Sequence, residues 1–320
     1  MKREFVDDLC CPRCHSDFSL QIDEQRNEEI IRGHLVCEAC HAKYPIINSI
    51  PRIVPNQLLY VEKKTSDSFG CAWKHYGRQL SNNLNAEFLS LVRPWKESDF
   101  KDKVVLDVGC GAGRLSRLAA SYGAKYVVSV DLSGAVDEAL ELSKDYSNIR
   151  FLQASLFNLP LKIKFDLIFS LGVLHHTPSP FSGFKSVLKS LKVGGEIGVW
   201  IYGKEGNKVM GPLMNLFRII TTRLNSRIRK RLSTIIVMME EVSYNSVFKS
   251  IEFYGEYLRY FNKELSRADR EYVVFDFIST PIVKYISKKE LDIWVSEVGL
   301  LGVMVLQRNG NSWMLTGRKP

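Results

Sequence analysis

The chain has 320 residues, 45% of them hydrophobic and 25% charged, with a formal net charge of +9. The length predicts about two folded units, and the composition excludes collagen-like, low-complexity and wholly disordered chains. The opening residues MKREFVDDLCCPRC hold no apolar leader core, and no run approaches the ~18 apolar residues of a membrane span. A cytoplasmic protein is therefore expected, with peripheral contact at the inner face of the membrane left open. The oligomeric state is not legible in composition.

Residues 1–55 form the first predicted unit. Cys11-Pro-Arg-Cys14 and Cys37-Glu-Ala-Cys40 are two C-x-x-C pairs separated by 22 residues. Two such knuckles supply four thiolates, the donor set of tetrahedral Zn²⁺, and four thiolates leave no open position for catalysis. A structural metal is expected, because about 50 residues bury too little core to fold alone. A redox C-x-x-C is the alternative, and Cys10, His15 and His41 stand beside the nominal ligands as substitutes. The prolines of YPIINSIPRIVP suit an extended exit from this unit.

Residues 56–102 read as a helical connection in which Phe69 and Trp73, four apart, share one face. Residues 103–203 alternate β-rich runs (KVVLDV, YVVSVDL, IRFLQA, FDLIFSL, GEIGVWIY) with helical stretches. That alternation predicts an α/β fold with a doubly wound, mostly parallel sheet, which the two strands of a C-terminal hairpin bring to seven. Residues 204–272 read as a helical insertion. Residues 273–320 return to the α/β pattern, with a Ser287/Glu290 capping box, Gly299 as helix stop, and a hairpin turning at Asn309-Gly310.

The run KVVLDV leads into Gly109-Cys110-Gly111-Ala112-Gly113 and then a helix. Glycine lets backbone approach a ligand, and the N–H groups opening the helix face the same ligand. The sixth position of a dinucleotide fingerprint is Arg114 rather than Gly, so the pattern favours an adenosine ligand other than NAD. Asp131 ends the second strand, where an acid accepts ribose hydroxyls. Beyond the fourth strand, the loop GVLHHT places His175 and His176 beside that ligand, as candidate general bases with ordinary pKa values near 6.5. Tyr202, ending the fifth strand, is a further candidate.

The runs VVLDVGCGAGR, VVSVDLS, FDLIFSLGVLHHTP and LKVGGEIGVWIYG resemble class I S-adenosylmethionine-dependent methyltransferases. The resemblance implies that Asp107 and the loop of Gly109, Cys110, Gly111 and Gly113 hold the methionine part of S-adenosyl-L-methionine. It implies that Asp131 holds the ribose and Leu132 packs on the adenine, with Leu156 and Gly172 completing the set. Where the family usually has an Asp facing the adenine, this chain has Ser155. The upstream run SFGCAWKHYG is also family-like, and its Phe69 and Trp73 read either as an ordinary core pair or as an aromatic cover over the cofactor. The run CEACHAKYPIINSIPRI resembles the zinc ribbon of the small activator subunit of tRNA methyltransferases.

Residues 201–235 carry a local net charge of +7, while the other 285 residues carry +2. Leu213, Phe217, Ile220, Leu224, Ile228, Leu232 and Ile235 recur at helical steps within this segment, predicting one amphipathic stripe. A solvated lid helix, an anionic membrane surface and RNA phosphates are its three candidate roles. Because the rest of the chain is nearly neutral, the expected acceptor is a small or lipid-linked metabolite. The alternatives are an rRNA or tRNA methyltransferase that grips RNA with the ribbon and the basic helix, and a non-enzymatic cofactor-binding scaffold.

Overall fold

A computed structural model describes residues 1–55, 57–79, 92–208, 210–244 and 266–320. Four strands form the N-terminal unit: β1 (Phe18–Arg26), β2 (Glu29–Cys37), β3 (Lys43–Ile47) and β4 (Ile50–Ile53). The first three turns between them make antiparallel pairs. The expected exit strand is β4, and it does not end the unit. It pairs in parallel with β7 (Ile149–Ala154), setting Arg52 opposite Gln153 and Ile53 opposite Ala154.

The other strands are β5 (Val104–Val108), β6 (Tyr126–Asp131), β8 (Phe165–Leu171), β9 (Leu191–Tyr202), β10 (Leu301–Arg308) and β11 (Ser312–Arg318). All strands join one eleven-stranded sheet in the order β1-β2-β3-β4-β7-β6-β5-β8-β9-β11-β10. The expected seven strands are the stretch from β7 to β10. The difference arises at the edge of β7, whose backbone groups would face water and instead pair with β4. Strands β5 to β9 read as near-continuous apolar runs because both faces of a parallel sheet are covered.

The core follows the sheet. Phe5, Leu9, Cys11, Phe18, Leu35 and Ile53 of the N-terminal unit belong to the same buried cluster as Leu106, Val130, Leu152 and Ile168. The small unit therefore borrows apolar burial from the large one. Its own limited core is offset in this way as well as by any metal.

Eight helices are described: α1 (Tyr60–Tyr76), α2 (Arg114–Ser121), α3 (Ala135–Leu142), α4 (Pro180–Leu188), α5 (Met210–Thr221), α6 (Ser226–Tyr244), α7 (Arg267–Ser279) and α8 (Lys288–Val298). The capping box of Ser287 with Glu290 starts α8, and Gly299 ends it at φ 67°. The hairpin turns through Asn309 at φ 47° and Gly310 at φ 67°, both positive, as a tight two-residue turn demands.

The expected single stripe across residues 213–235 is not one helix. Asn225 Oδ1 accepts the N–H of Ile228 at 2.9 Å, which starts α6 afresh after α5. Leu213, Phe217, Ile220, Ile228 and Ile235 are exposed, and the inward face is Met214, Arg218 and Thr221 of α5 with Ser233 and Val237 of α6. Polar ties fix this face. Arg218 Nε donates to the Phe277 carbonyl at 2.8 Å, Thr221 Oγ1 to that of Ile278 at 2.7 Å, and Arg229 Nη1 to that of Ser279 at 3.2 Å. These are last-turn carbonyls of α7, which have no partner within their helix and carry its negative dipole end. Helix α7 runs across residue 272.

Candidate functional site

A cavity of about 310 Å³ opens at the carboxyl ends of β5 to β9, where ligands bind in open α/β sheets. Gly109 and Cys110 after β5, Leu132 after β6, Ser155 and Leu156 after β7, and Gly172 after β8 form its floor. Phe69 and Trp73 of α1 lie against it from above.

The glycine turn is shaped by its neighbours. Gly109 has φ 80°, and a Cβ there would sit 2.2 Å from Val173 Cγ2. Gly111 has φ 52°, and its Cβ would strike the Trp73 ring at 2.5 Å. Both positions need glycine for conformation and for space. Trp73 thus packs directly on the glycine turn, and Tyr272 of α7 packs on Trp73 with ring centroids 4.7 Å apart.

Asp131 ties the turn to the end of β6. Its Oδ2 accepts the Gly111 N–H at 2.9 Å, and its Oδ1 accepts the N–H and hydroxyl of Ser133 at 2.8 and 2.7 Å. Burial raises its pKa, opposed by these hydrogen bonds. Asp131 remains part of the cavity wall.

The structure places Asp107, Gly111, Gly113 and His175 behind the lining rather than in it. Asp107 is 2% exposed and accepts from Ser116 Oγ at 2.6 Å, and Ser129 Oγ in turn donates to Ser116. Burial pushes its carboxyl up to about 7. Gly113 starts α2 at φ 72°. Ser155 Oγ lies at the wall and accepts the Phe157 N–H at 3.3 Å, capping a short turn.

The adjacent histidines occupy different environments. His175 is fully buried, stacked on Tyr202 at 4.0 Å, and its Nδ1 accepts the Tyr202 N–H at 3.4 Å. Its Nε2 has no hydrogen-bond partner among the described residues. Burial pushes its pKa well below the usual value. His176 lines the cavity, and its Nδ1 bonds the Ile282 carbonyl at 2.9 Å. A carbonyl only accepts, so Nδ1 carries the proton and Nε2 the lone pair. Burial lowers the His176 pKa, and the nearby Asp276 charge opposes this.

Several wall residues were not singled out from sequence. Glu62, Thr65 and Ser66 of α1 line the cavity, as do Arg114, Tyr272 and Asp276. The first three continue the helical face of Phe69 and Trp73 at steps of three and four, a signal that was available. Tyr272 is the last residue of the predicted insertion and Asp276 follows it, and neither has a local mark.

In the N-terminal unit the Sγ atoms of Cys11, Cys14, Cys37 and Cys40 all lie within 4.8 Å of one another. Cys14 and Cys37 are 3.3 Å apart, and Cys11 and Cys40 3.6 Å. The Arg13 N–H points at Cys11 Sγ and the Cys40 N–H at Cys37 Sγ, each at 3.4 Å. Such N–H groups stabilise thiolates. His15 and His41 close the two knuckles at φ 61° and 56°, bonding the carbonyls of Cys11 and Cys37 through their backbone N–H groups. They and Cys10 lie outside the four-sulfur cluster. The donor set is compatible with a structural zinc.

Residues 106–199 match the methyltransferase domain family, and residues 2–49 match the Trm112p-like protein family. The chain is 36% identical over 104 residues to a tRNA U34 carboxymethyltransferase of Shewanella halifaxensis, covering 31% of this chain and 32% of that enzyme. It is 45% identical over 75 residues to protein arginine N-methyltransferase 1 of Saccharomyces cerevisiae, covering 22% of each. The chain thus spans about a third, or less, of the length of these relatives. A solved structure titled DhpI-SAM-HEP complex aligns with a TM-score of 0.51 at 12% identity, covering 82% of this chain and 100% of that one, which supports the fold.

The likeness to a tRNA-modifying enzyme overturns the expectation of a small or lipid-linked acceptor and favours the RNA alternative. Counting charge along the sequence misled because cations in the basic segment serve different ends. Arg218 and Arg229 cap α7, and Lys204 pairs with Glu290 at 2.8 Å. Charge balance over the whole chain therefore says little about the acceptor. The chain is a Trm112p-like domain joined, through one continuous sheet, to a class I methyltransferase domain.

Proposed function

We propose that the protein is an S-adenosylmethionine-dependent methyltransferase whose acceptor is an RNA, of the tRNA class. The observation that carries the cofactor reading is Asp131, partly buried at the end of β6 and bonded to the glycine turn through Gly111. The wall fits an adenosyl sulfonium. Among the described residues it holds the carboxylates of Glu62, Asp131 and Asp276 against the single guanidinium of Arg114, a balance that favours a cationic ligand. Leu132 and Leu156 offer apolar surface for a purine, and Asp131 offers oxygens for ribose hydroxyls.

When bound, the cofactor supplies an electrophilic methyl group. The protein's part is orientation, which is worth up to ~7–11 kcal/mol when reacting atoms are held in line. Phe69 and Trp73 exclude water above the reacting atoms. His176 Nε2, carrying a lone pair at the wall, takes a proton from an acceptor group that must lose one. His175 shapes the loop through Tyr202 and does not reach the substrate.

Incubation of the protein with methyl-labelled S-adenosylmethionine and a mixture of total tRNA and total cell protein tests this reading. Label recovered in tRNA is the expected result. Label recovered only in protein would overturn the RNA acceptor.

A further inference from the structure

We infer that the exposed cations of α6 and of the end of α1 form a docking face for the phosphate backbone of the acceptor. This rests on the RNA reading above and specifies which surface meets it.

Arg227 and Arg231 lie four apart on α6, so their side chains leave the helix on one side, and Arg223 precedes them in the turn before it. All three are exposed, as is Lys74 near the end of α1. Lys230 bridges the two helices, with its Nζ 5.8 Å from the ring centroid of Tyr76. Burial lowers the pKa of His75, and the charges of Lys230 and Lys74 both add to this.

Among the described residues none of Arg223, Arg227, Lys230, Arg231 and Lys74 is held in an ion pair. Neighbouring cations on α7 are matched: Arg270 meets Glu241 at 2.6 Å and Arg267 meets Glu271 at 3.2 Å. Unmatched like charges gathered on one face repel one another, so a mixed-charge surface would be the more stable one. What the arrangement offers is attraction for polyanions. Three of the cations are arginines, whose planar fork matches phosphate oxygens.

Lys74 follows Trp73, which lines the wall. The wall itself is acidic through Glu62, Asp131 and Asp276. Phosphates are repelled by these carboxylates and drawn to the exposed cations of α6 and α1, while an uncharged base is free to enter. A nucleotide turned out of its stack would be sorted in this way, base inward and backbone outward.

The test uses the full chain and the variant Arg223→Glu/Arg227→Glu/Arg231→Glu, with binding to total tRNA measured across salt concentrations. The wild type should show a steep salt dependence. The variant should lose about three from the log–log slope, near 0.9 per phosphate contact, and bind at least about tenfold more weakly at ~0.15 M salt. The corresponding Gln variant should lose the same slope with a smaller fall in affinity. Affinity for S-adenosylhomocysteine should stay unchanged in both, reporting an intact fold. Equal tRNA binding by wild type and variants overturns this face and leaves the RNA acceptor standing. No tRNA binding by the wild type, with arginine-dependent binding to phosphatidylglycerol vesicles instead, overturns both. That outcome would assign the exposed Ile228, Ile235 and Met239 to a membrane surface.

Discussion

Arg52 of β4 donates from Nη1 to Gln153 Oε1 at 3.1 Å, and Gln153 Nε2 donates to the Leu132 carbonyl at 3.0 Å. A residue of the N-terminal unit thereby fixes which way the Gln153 amide faces, and the amide holds the loop that follows Asp131. The same guanidinium reaches Asp137 Oδ1 of α3 at 2.6 Å, to which Asn48 Nδ2 also donates at 3.2 Å. Parallel pairing of β4 with β7 brings these groups into reach.

Arg52→Ala is expected to release Gln153 and loosen the Leu132 loop. A hydrogen bond to a charged group contributes about 1.5–3 kcal/mol, of which a part reaches the ligand. S-adenosylhomocysteine affinity should fall about 3–10-fold by calorimetry, with metal content unchanged. Unaltered affinity would separate the N-terminal unit from the cofactor loop.

Removing the metal should destabilise more than the ribbon. The N-terminal unit shares a sheet and a buried cluster with the large domain. Cys37→Ser, or chelation, is therefore expected to lower the melting temperature of the chain in a single transition, and elemental analysis of the native protein should give one zinc per chain. Two separate transitions, with the second unmoved, would show that the shared core does not couple the units.

Asp107 makes stability depend on pH. Its folded-state pKa is raised to about 7 by burial, from a model-peptide value near 3.8. A raised carboxyl favours the folded state fully below the unfolded pKa, and that contribution is lost as pH rises through the folded one. The protein should therefore lose stability between pH 4 and pH 7. Asp107→Asn should remove most of this loss in denaturant titrations at several pH values. An identical pH profile in the variant would place the titration elsewhere.

His176→Gln should reduce kcat by about 10²–10⁴-fold if the acceptor must lose a proton. Burial sets the His176 pKa below its ordinary value, so the wild-type rate should rise through a pKa below 6.5 and be level above it. The variant should lack that step. His175→Gln should disturb folding or substrate affinity without removing the step, because His175 is fully buried.

Local signals in the sequence carried much of this. Strands β7 and β8 coincide with the runs IRFLQA and FDLIFSL, because β-branched and aromatic runs between turns report their own ends. The caps of α8 were legible because Ser287, Glu290 and Gly299 act on adjacent backbone. The pairing of β4 with β7 was not, since a strand's edge partner across about 100 residues leaves no local mark. Tyr272 and Asp276 were missed for the same reason. The stripe of Leu213 to Ile235 had helical period, but periodicity reports a face and not whether anything covers it. The glycine turn and Asp131 were readable as a site because both chemistry and conformation restrict those positions.

Calorimetry of S-adenosylhomocysteine binding to the wild type and to Asp131→Ala tests the cofactor cavity most directly. Binding by the wild type, silence with NAD, and a loss of about 1.5–3 kcal/mol in the variant are expected, the last being the cost of removing a charged hydrogen-bonding group. Asp131→Asn, which keeps the shape and one acceptor oxygen, should fall between the two. Unchanged affinity in Asp131→Ala, or binding of NAD in place of S-adenosylhomocysteine, would show that this cavity is not an S-adenosylmethionine site held by Asp131.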